Sequence, residues 1–306
     1  MKIASLNISK KAGQIKTAER IELTGSGTGN GVSNESRHSQ LSILRIESIR
    51  KFSEETGRVV KPGEFGENII LQGLELQRVH PLDQFLCEGV QLEVTRTGQK
   101  HGKCNCNIFK ETGQCLMAAE GIFCRVLKGR ELKTGSEMNF VPKEYKVLVL
   151  TLSDRCYSGI YEDASGPMVV EKIGSLMEAN RRKSSIEKIV LPDEPTLISA
   201  KLNEAFETGR DIVITTGSTG LGPRDIAPET IKPLLDKEIP GIMEMVRMKY
   251  GREKPNALLS RALAGTKSKT LVFAIPGSLK AVTEYMDEIN KIIFHAIYML
   301  HAIDHA

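Results

Sequence analysis

The residues best suited to chemistry lie in one segment, from Asp211 to Asp225. Within it, the apolar run Ile212 to Ile214 is typical of a buried strand, and it stops at the loop Thr215-Thr216-Gly217-Ser218-Thr219-Gly220. The loop offers small hydroxyls, unobstructed backbone N–H groups and glycines that tolerate positive φ, so it is suited to hold anionic oxygens. Arg224 and Asp225 place opposite charges beside it. The segment therefore predicts a site for nucleotide or phosphoester chemistry.

Regular alternation of strands and helices places this loop in an α/β domain with a mostly parallel sheet flanked by helices. The predicted strands are Val147–Ser153, Ile186–Leu191, Ile212–Thr216 and Thr270–Ile275. The predicted helices are Pro167–Ala179, Thr196–Thr208, Ile226–Lys237, Ile239–Tyr250 and Leu279–His301. Ligands of such sheets bind at the carboxyl ends of the strands.

Polar or glycine-rich residues follow all four of these strands. The strand ends carry Ser153-Asp154-Arg155, Pro192-Asp193-Glu194, the loop from Thr215 to Gly220 with Asp225, and Pro276-Gly277-Ser278-Leu279-Lys280. Any single end is equally compatible with an ordinary turn, because the same residue types dominate turns. Four such ends together favour an active site.

The N-terminal half consists of short alternating segments between glycine-containing turns, which is typical of a β-rich, barrel-like domain. We expect strands at Ile69–Leu71, Gln91–Thr95 and Gly121–Leu127, a helix at Ser39–Thr56, and a flexible loop from Thr24 to Asn34. The pattern changes near Pro142. The sequence thus predicts two domains, at residues 1–142 and 143–306.

The bulk composition fits this organisation and excludes several classes of protein. A chain of 306 residues, 40% hydrophobic and 26% charged, is typical of two globular domains. The net charge of +4, without a basic run or any Trp, argues against nucleic-acid binding. No apolar stretch approaches the ~20 residues of a membrane span, and the N-terminus does not resemble a signal peptide. We therefore expect a cytoplasmic protein with six reduced cysteines.

Seven motifs of the C-terminal half occur in the order typical of one known family. They are Ser153-Asp154-Arg155, Glu162-Asp163-Ala164-Ser165-Gly166-Pro167, Pro192-Asp193-Glu194, the loop from Thr215 to Gly220, Pro223-Arg224-Asp225-Ile226-Ala227-Pro228-Glu229, Leu259-Ser260-Arg261-Ala262 and Pro276-Gly277-Ser278. From about Lys146 onward the sequence resembles the molybdopterin adenylyltransferases, the MogA/MoaB-like family. It departs from the family pattern at Ser218, where glycine is common, and at Ala227, which lacks the cap hydroxyl of a threonine.

This resemblance implies transfer of AMP from ATP to the terminal phosphate of molybdopterin, with release of pyrophosphate. The attacking group is already a phosphate, so catalysis rests on positioning and on charge neutralisation with Mg²⁺ rather than on a Ser, Cys or His nucleophile. Catalytic and Mg²⁺-binding roles are implied for Asp193 and Asp225. Nucleotide- or substrate-binding roles are implied for Asp154, Asp163, Thr216, Gly217, Ser218, Thr219, Gly220, Arg224, Ser260, Arg261, Pro276, Gly277 and Ser278.

Simpler structural interpretations compete at three of these positions. Asp225 is also placed to cap a helix beginning at Ile226, a role compatible with catalysis. Asp193 could be a plain turn acid, and Arg261 could form a surface salt bridge.

The N-terminal half resembles a MOSC domain, over roughly Lys2–Phe140. The resemblance is carried by the segments His38–Leu44, Lys61-Pro62-Gly63-Glu64-Phe65-Gly66-Glu67-Asn68-Ile69, Gly113–Met117 and Glu120–Phe123. It implies binding of molybdopterin or molybdenum cofactor and the handling of sulfur through a cysteine. Cys104 or Cys106 is the implied counterpart, beside basic groups that would stabilise a thiolate. The Gly-Asp-x-His segment common in such domains is absent from Gly31–Arg37.

The other cysteines have a structural interpretation. We expect Cys87, Cys115 and Cys124 to be small core hydrophobes, whereas function and structure are equally compatible with Cys104 and Cys106. No paired motif completes a Cys-x-Cys zinc site, so no structural zinc is expected.

The leading interpretation is a fused protein of molybdenum-cofactor biosynthesis. Its substrates would be ATP and molybdopterin, and it would require Mg²⁺. The resemblance implies a homotrimer, with other molybdenum-cofactor assembly proteins as further partners. Two alternatives stay open: a non-catalytic pterin-binding scaffold or carrier, and another nucleotide-dependent transferase.

Overall fold

The computed structural model describes residues 1–11, 14–25, 27–28, 39–98 and 107–303. Contacts between Cα atoms divide the chain into two compact units. The first consists of Met1–Lys143 together with the C-terminal residues from Ile303, and the second consists of Glu144–Ala302. None of the described helices is long and apolar enough to cross a membrane.

The first unit is built mainly from strands. They are β1 (Lys2–Lys11), β2 (Gln14–Ala18), β3 (Arg20–Thr24), β4 (Gly27–Thr28), β5 (Leu41–Arg45), β6 (Ile69–Gln72), β7 (Gln84–Cys87), β8 (Val90–Thr97), β9 (Ile122–Lys128), β10 (Glu131–Lys133) and β11 (Asn139–Val141). Its helices are α1 (Ile46–Thr56), α2 (Asn107–Thr112) and α3 (Leu116–Glu120).

Eight of these strands form one sheet in the order β11-β7-β8-β9-β5-β6-β1-β2. Irregular register in β1 and β8 marks bulges, which bend a sheet and increase its twist. The pairing seen in the described residues does not join the two edge strands. The unit is therefore a curled half-barrel, the coarse form of the predicted barrel-like domain.

The prediction of one helix over Ser39–Thr56 is wrong in its first part. Leu41–Arg45 forms strand β5, which pairs with β6 on one side and β9 on the other, and the helix begins only at Ile46. A strand in the middle of a sheet is buried on both faces, so its apolar run resembles a buried helix turn. The predicted loop also differs, because Gly27–Thr28 pairs with β3. Residues 29–34 lie outside the described part.

The second unit alternates strands and helices. Its strands are β12 (Glu144–Leu152), β13 (Lys183–Leu191), β14 (Ile212–Thr216), β15 (Lys237–Glu238), β16 (Leu263–Lys267) and β17 (Thr270–Ile275). Its helices are α4 (Asp154–Tyr157), α5 (Ser165–Ala179), α6 (Pro195–Glu207), α7 (Ala227–Ile231), α8 (Pro240–Gly251), α9 (Leu279–Ile289) and α10 (Ile293–Leu300).

The sheet of this unit is mixed, with strand order β13-β12-β14-β17-β16-β15. The strands from β13 to β17 in this order are parallel, whereas β16 and β15 pair antiparallel at one edge. The central strands β14 and β17 are buried throughout, as expected when helices cover both faces.

Two predicted helices of this unit are interrupted. The helix expected over Ile226–Lys237 ends at Ile231 and continues only as a 3₁₀ turn, because Pro233 has no N–H to donate to the preceding turn. The long final helix divides into α9 and α10 at Asn290–Ile292.

The carboxyl group of Glu67, in the first unit, is buried with only one of its two oxygens hydrogen-bonded to a described residue. The Glu67 side chain is 1% exposed, and its Oε1 accepts a hydrogen bond from the Gly63 N–H at 2.6 Å. Its Oε2 has no partner among the described residues. Burial raises the pKa of Glu67 from 4.5 to about 7, although hydrogen bonds from the loop N–H groups act to lower it.

The pH dependence of stability should therefore carry the signature of Glu67. A carboxyl whose pKa is raised by folding contributes stability at low pH and loses it as the pH rises through about 7. We expect the free energy of unfolding, measured by urea titration, to fall by on the order of 3 kcal/mol between acidic and mildly alkaline pH. Glu67→Gln should remove this slope, whereas the exposed control Glu54→Gln should retain it. Equal slopes in both variants would contradict the assignment.

Candidate active site

A cleft of about 740 Å³ opens at the carboxyl ends of the parallel strands of the second unit. Its other walls come from α8, the segment between α8 and β16, and α9. Among its lining residues are these members of the predicted site: Asp193, Thr216, Gly217, Ser218, Thr219, Gly220, Asp225, Ser260, Pro276, Gly277 and Ser278. The other predicted residues, Asp154, Asp163, Arg224 and Arg261, are not in its lining.

Gly217 lies where the ends of β12, β14 and β17 pack against one another. Its N–H donates to the carbonyl of Ile275 at 2.9 Å, and its φ of 102° lies in the region that favours glycine. A Cβ at this position would overlap the carbonyl oxygen of Leu152, and one at Gly277 would lie 3.1 Å from the Gly217 Cα. The Thr216 hydroxyl adds a bond to the carbonyl of Pro276 at 3.1 Å. The glycines are therefore required by close packing.

Ser218, the departure from the family pattern, makes specific contacts. Its Oγ accepts a hydrogen bond from the Ile226 N–H at 2.9 Å and donates to the carbonyl of Arg224 at 3.2 Å. Its own carbonyl accepts the N–H of Ala227. Ser218 therefore fixes the backbone at the start of α7.

Asp225 is held by the loop rather than by the helix that follows. Its Oδ2 accepts the N–H of Gly222 at 2.7 Å, and α7 has no side-chain cap. The capping role considered from sequence is therefore not the one observed. A Cβ on Gly220 or Gly222 would lie 2.7 or 2.8 Å from Oδ2, so these glycines make room for the carboxylate.

Asp154 and Asp193 connect the ends of β12 and β13 by hydrogen bonds. Each carboxylate accepts the backbone N–H of the other residue, at 3.0 and 3.1 Å. Arg224 grips Asp154 with two hydrogen bonds of 2.9 Å and also reaches Glu194 at 3.2 Å. The Asp193 N–H and then Arg224 hold the pKa of Asp154 below its usual range. Asp193 is thus more than a plain turn acid, since it joins two strand ends.

Asp163, another of the predicted residues, stabilises the surrounding fold. Asp163 accepts hydrogen bonds from Thr151, Lys188 and the Gly166 N–H at the start of α5. Burial acts to raise the pKa of Asp163, but these hydrogen bonds lower it on balance. Its predicted contact with the nucleotide stays a prediction.

Arg261 ties the glycine loop to the rest of the site. Its guanidinium donates to the carbonyls of Gly220 at 2.8 Å and Asp225 at 2.6 Å, and it pairs with Glu229. A surface salt bridge describes only the last of these contacts. The buried part of the side chain sets the distance between the two ends of the loop.

Ser260 and Ser278 complete the opposite wall. The Ser260 Oγ accepts a hydrogen bond from the Tyr285 hydroxyl at 3.1 Å, and burial raises the pKa of that tyrosine. Ser278 caps α9 by accepting the Ala281 N–H at 3.4 Å.

Sequence reasoning missed several lining residues. They are Arg247, Tyr250, Lys254, Glu284 and Tyr285. Lys280 also lines the cleft; it stands among the residues that follow the fourth predicted strand, but it was given no role. Lys254 lies in a short connection with no local pattern that would reveal it.

The residues present fit a Mg²⁺ ion held jointly by protein and substrate. No group of three or more potential ligand side chains stands ready to bind a metal in the described ranges. Mg²⁺ in phosphoryl-transfer sites typically takes one or two carboxylates and completes its shell with phosphates and water. Asp193 and Asp225 both line the cleft, and the buried Oδ1 of Asp193 has no partner among the described residues.

The cysteines divide as expected, as far as they are described. Cys87, Cys115 and Cys124 are buried in the apolar clusters of the first unit, and burial raises the pKa of Cys124. This confirms their role as small core residues. Cys104 and Cys106 lie outside the described residues, as does the segment Gly31–Arg37.

Two family models match the chain. The probable molybdopterin binding domain matches residues 148–295, and the MOSC domain matches residues 30–139. A molybdopterin adenylyltransferase of Pyrococcus furiosus is 38% identical over 161 residues, which are 51% of this chain and 91% of that protein.

Longer relatives share only part of their length. A molybdenum cofactor biosynthesis bifunctional protein of Chlorobaculum tepidum is 33% identical over 57% of this chain and 54% of its own length. Gephyrin of Dictyostelium discoideum is 38% identical over 52% of this chain. The match spans only 23% of gephyrin.

The packing around Gly217 can be tested directly. Gly217→Ala should destabilise the second unit by at least about 2 kcal/mol, because the new Cβ meets a backbone carbonyl and φ is positive. The matched control is Gly209→Ala, where φ is 69° and nothing lies within 4 Å of a Cβ. Its cost should be only the backbone strain, about 1 kcal/mol. Equal losses in urea denaturation would show that close packing at Gly217 is unimportant.

Proposed function

This chain belongs, through its C-terminal half, to the family that includes the molybdopterin adenylyltransferases, and we propose that this half transfers AMP from ATP to molybdopterin. Pyrophosphate is the second product. The observation that carries the proposal is the cleft in which Asp193 and Asp225 face the same space as the loop from Thr216 to Gly220. A phosphate-binding loop and two carboxylates at one sheet edge suit phosphoryl chemistry.

The reaction balances without a protein nucleophile. An oxygen of the pterin phosphate forms a bond to the α-phosphorus of ATP, while the bond from that phosphorus to the bridging oxygen breaks. The electron pair leaves with pyrophosphate. The loop would hold phosphate oxygens through the backbone N–H groups of Ser218, Thr219 and Gly220, since the Gly217 N–H is already bonded to the Ile275 carbonyl. These contacts would align the two substrates. Asp193 and Asp225 would hold Mg²⁺, which when bound supplies positive charge to the polyphosphate.

The scaffold contacts explain how the two carboxylates stay in place. Asp193 is fixed by its exchange of hydrogen bonds with Asp154, and Arg224 holds Asp154 in turn. Asp225 is fixed through Gly222 and through its carbonyl contact with Arg261. Catalysis that depends on positioning needs such support from neighbouring residues.

For the N-terminal half we propose binding of molybdopterin or molybdenum cofactor, or transport of sulfur through Cys104 or Cys106. The MOSC match over residues 30–139 supports this proposal. We also propose that the two domains meet between residues 142 and 143. The protein would lie in the cytoplasm and form a homotrimer that works with other molybdenum-cofactor assembly proteins.

Removal of either carboxylate tests the catalytic proposal. Asp193→Asn and Asp225→Asn should each lower the rate of AMP–pterin formation from ATP, Mg²⁺ and molybdopterin by about 100-fold or more. Thermal unfolding should show that both variants are folded. The exposed control Asp287→Asn should retain wild-type turnover. Near-normal turnover in both variants would remove the assignment.

The same assay on the wild-type protein separates the alternative functions. Clean pterin binding without AMP–pterin or pyrophosphate would favour a non-catalytic scaffold. Tight ATP binding that pterin does not affect would favour a different nucleotide-dependent transferase.

Independence of the two halves is tested at the cysteines. Replacing Cys104 and Cys106 together by Ser should leave adenylyl transfer unchanged, because the proposed reaction uses no thiolate. The measurement is the steady-state rate of pyrophosphate release. A large loss in the double variant would mean that both halves contribute to one site.

A further inference from the structure

Two lysines on one wall of the cleft have no role in the function proposed so far. Lys280 lies in the first turn of α9, just after the Ser278 cap, and Lys254 lies in the connection between α8 and β16. Both line the same cleft as the glycine loop and the two catalytic carboxylates. Both side chains are exposed, so they can reach a ligand in the cleft.

Both lysines line the same cleft, and the neighbouring Lys280 ammonium, followed by desolvation, lowers the pKa of Lys254. Glu253 and Glu284 oppose the shift only in part. Like charges in contact are unfavourable unless an anion lies between or beside them.

Nearby acidic groups neutralise little of the positive charge of Lys254 and Lys280. Glu284 is 3.9 Å from the Lys280 ammonium, at the outer range of an ion pair. The third cation of the lining, Arg247, is already tied to the carbonyls of Ser260 at 3.4 Å and Ala262 at 3.1 Å. Lys254 and Lys280 are thus the cations of the lining best able to meet an incoming anion.

We propose that Lys254 and Lys280 together bind a phosphate group in the cleft, namely the pyrophosphate end of the nucleotide. The inference rests on the proposed adenylyl transfer, in which pyrophosphate takes the electron pair of the broken bond. Two ammonium groups would stabilise that growing negative charge with charge-assisted hydrogen bonds. Long, flexible lysine side chains also suit a group that must move away after the reaction.

Binding of inorganic pyrophosphate measures the pair without turnover. In calorimetric titrations, Lys254→Ala and Lys280→Ala should each weaken pyrophosphate binding by about tenfold, and the double variant should weaken it more. The exposed control Lys269→Ala, on the turn between β16 and β17, should bind as the wild type does. Lys280→Arg keeps the charge and should restore most of the affinity. AMP, which lacks the pyrophosphate group, should bind all variants alike.

Steady-state kinetics show whether the lysines bind a phosphate of ATP or the phosphate of molybdopterin. The double variant should raise the KM for ATP and leave the KM for molybdopterin unchanged. A rise in the KM for molybdopterin alone would overturn the nucleotide assignment and give the pair to the pterin phosphate. Wild-type pyrophosphate affinity in the double variant would overturn phosphate binding altogether. Normal pyrophosphate binding by a wild-type protein that makes no AMP–pterin would instead contradict the proposed function and leave the lysine pair intact.

Discussion

The close approach of Gly217 to the end of β12 is the constraint on which the site depends. Its backbone lies against the carbonyl of Leu152 and against Gly277, so the ends of β12, β14 and β17 meet with no side chain between them. This contact turns the chain sharply at the end of β14 and brings the loop beside the segment that follows β17. A larger residue would separate the strand ends and with them the two walls of the cleft.

Charged side chains around this packed centre hold the neighbouring loops in place. Asp154 and Asp193 exchange backbone hydrogen bonds, and Arg224 covers the outer side of Asp154. Arg261 joins both ends of the loop through carbonyl oxygens. Several of the charged side chains near the cleft therefore maintain its geometry, and in the proposed reaction Asp193, Asp225, Lys254 and Lys280 would contact the ligands. Such a division suits a reaction in which both reacting groups are supplied by substrates.

Much of the second unit could be predicted from sequence, and the errors have physical causes. Strands β14 and β17 have the predicted bounds, because an uninterrupted apolar run between turn residues is a local signal. The antiparallel edge of β15 and β16 was missed, since short, partly exposed strands have weak patterns. In the first unit, Leu41–Leu44 was taken for helix because a strand buried on both faces has no alternation to show. The family pattern gave no role to the hydroxyl of Ser218, yet that hydroxyl accepts the N–H of Ile226.

The polar residues that follow each strand can be read along the chain, because turn chemistry and strand periodicity are local properties. They made the loop, Asp193 and Asp225 candidates for a site. Which of these candidates share the cleft depends on how the strands pair. Asp154 and Asp193 are 39 residues apart and meet because β12 and β13 pair in parallel. The same folding leaves Asp163 outside the lining of the cleft and places Lys254 and Lys280 within it. Contacts across such distances depend on strand order and register, which no local pattern encodes.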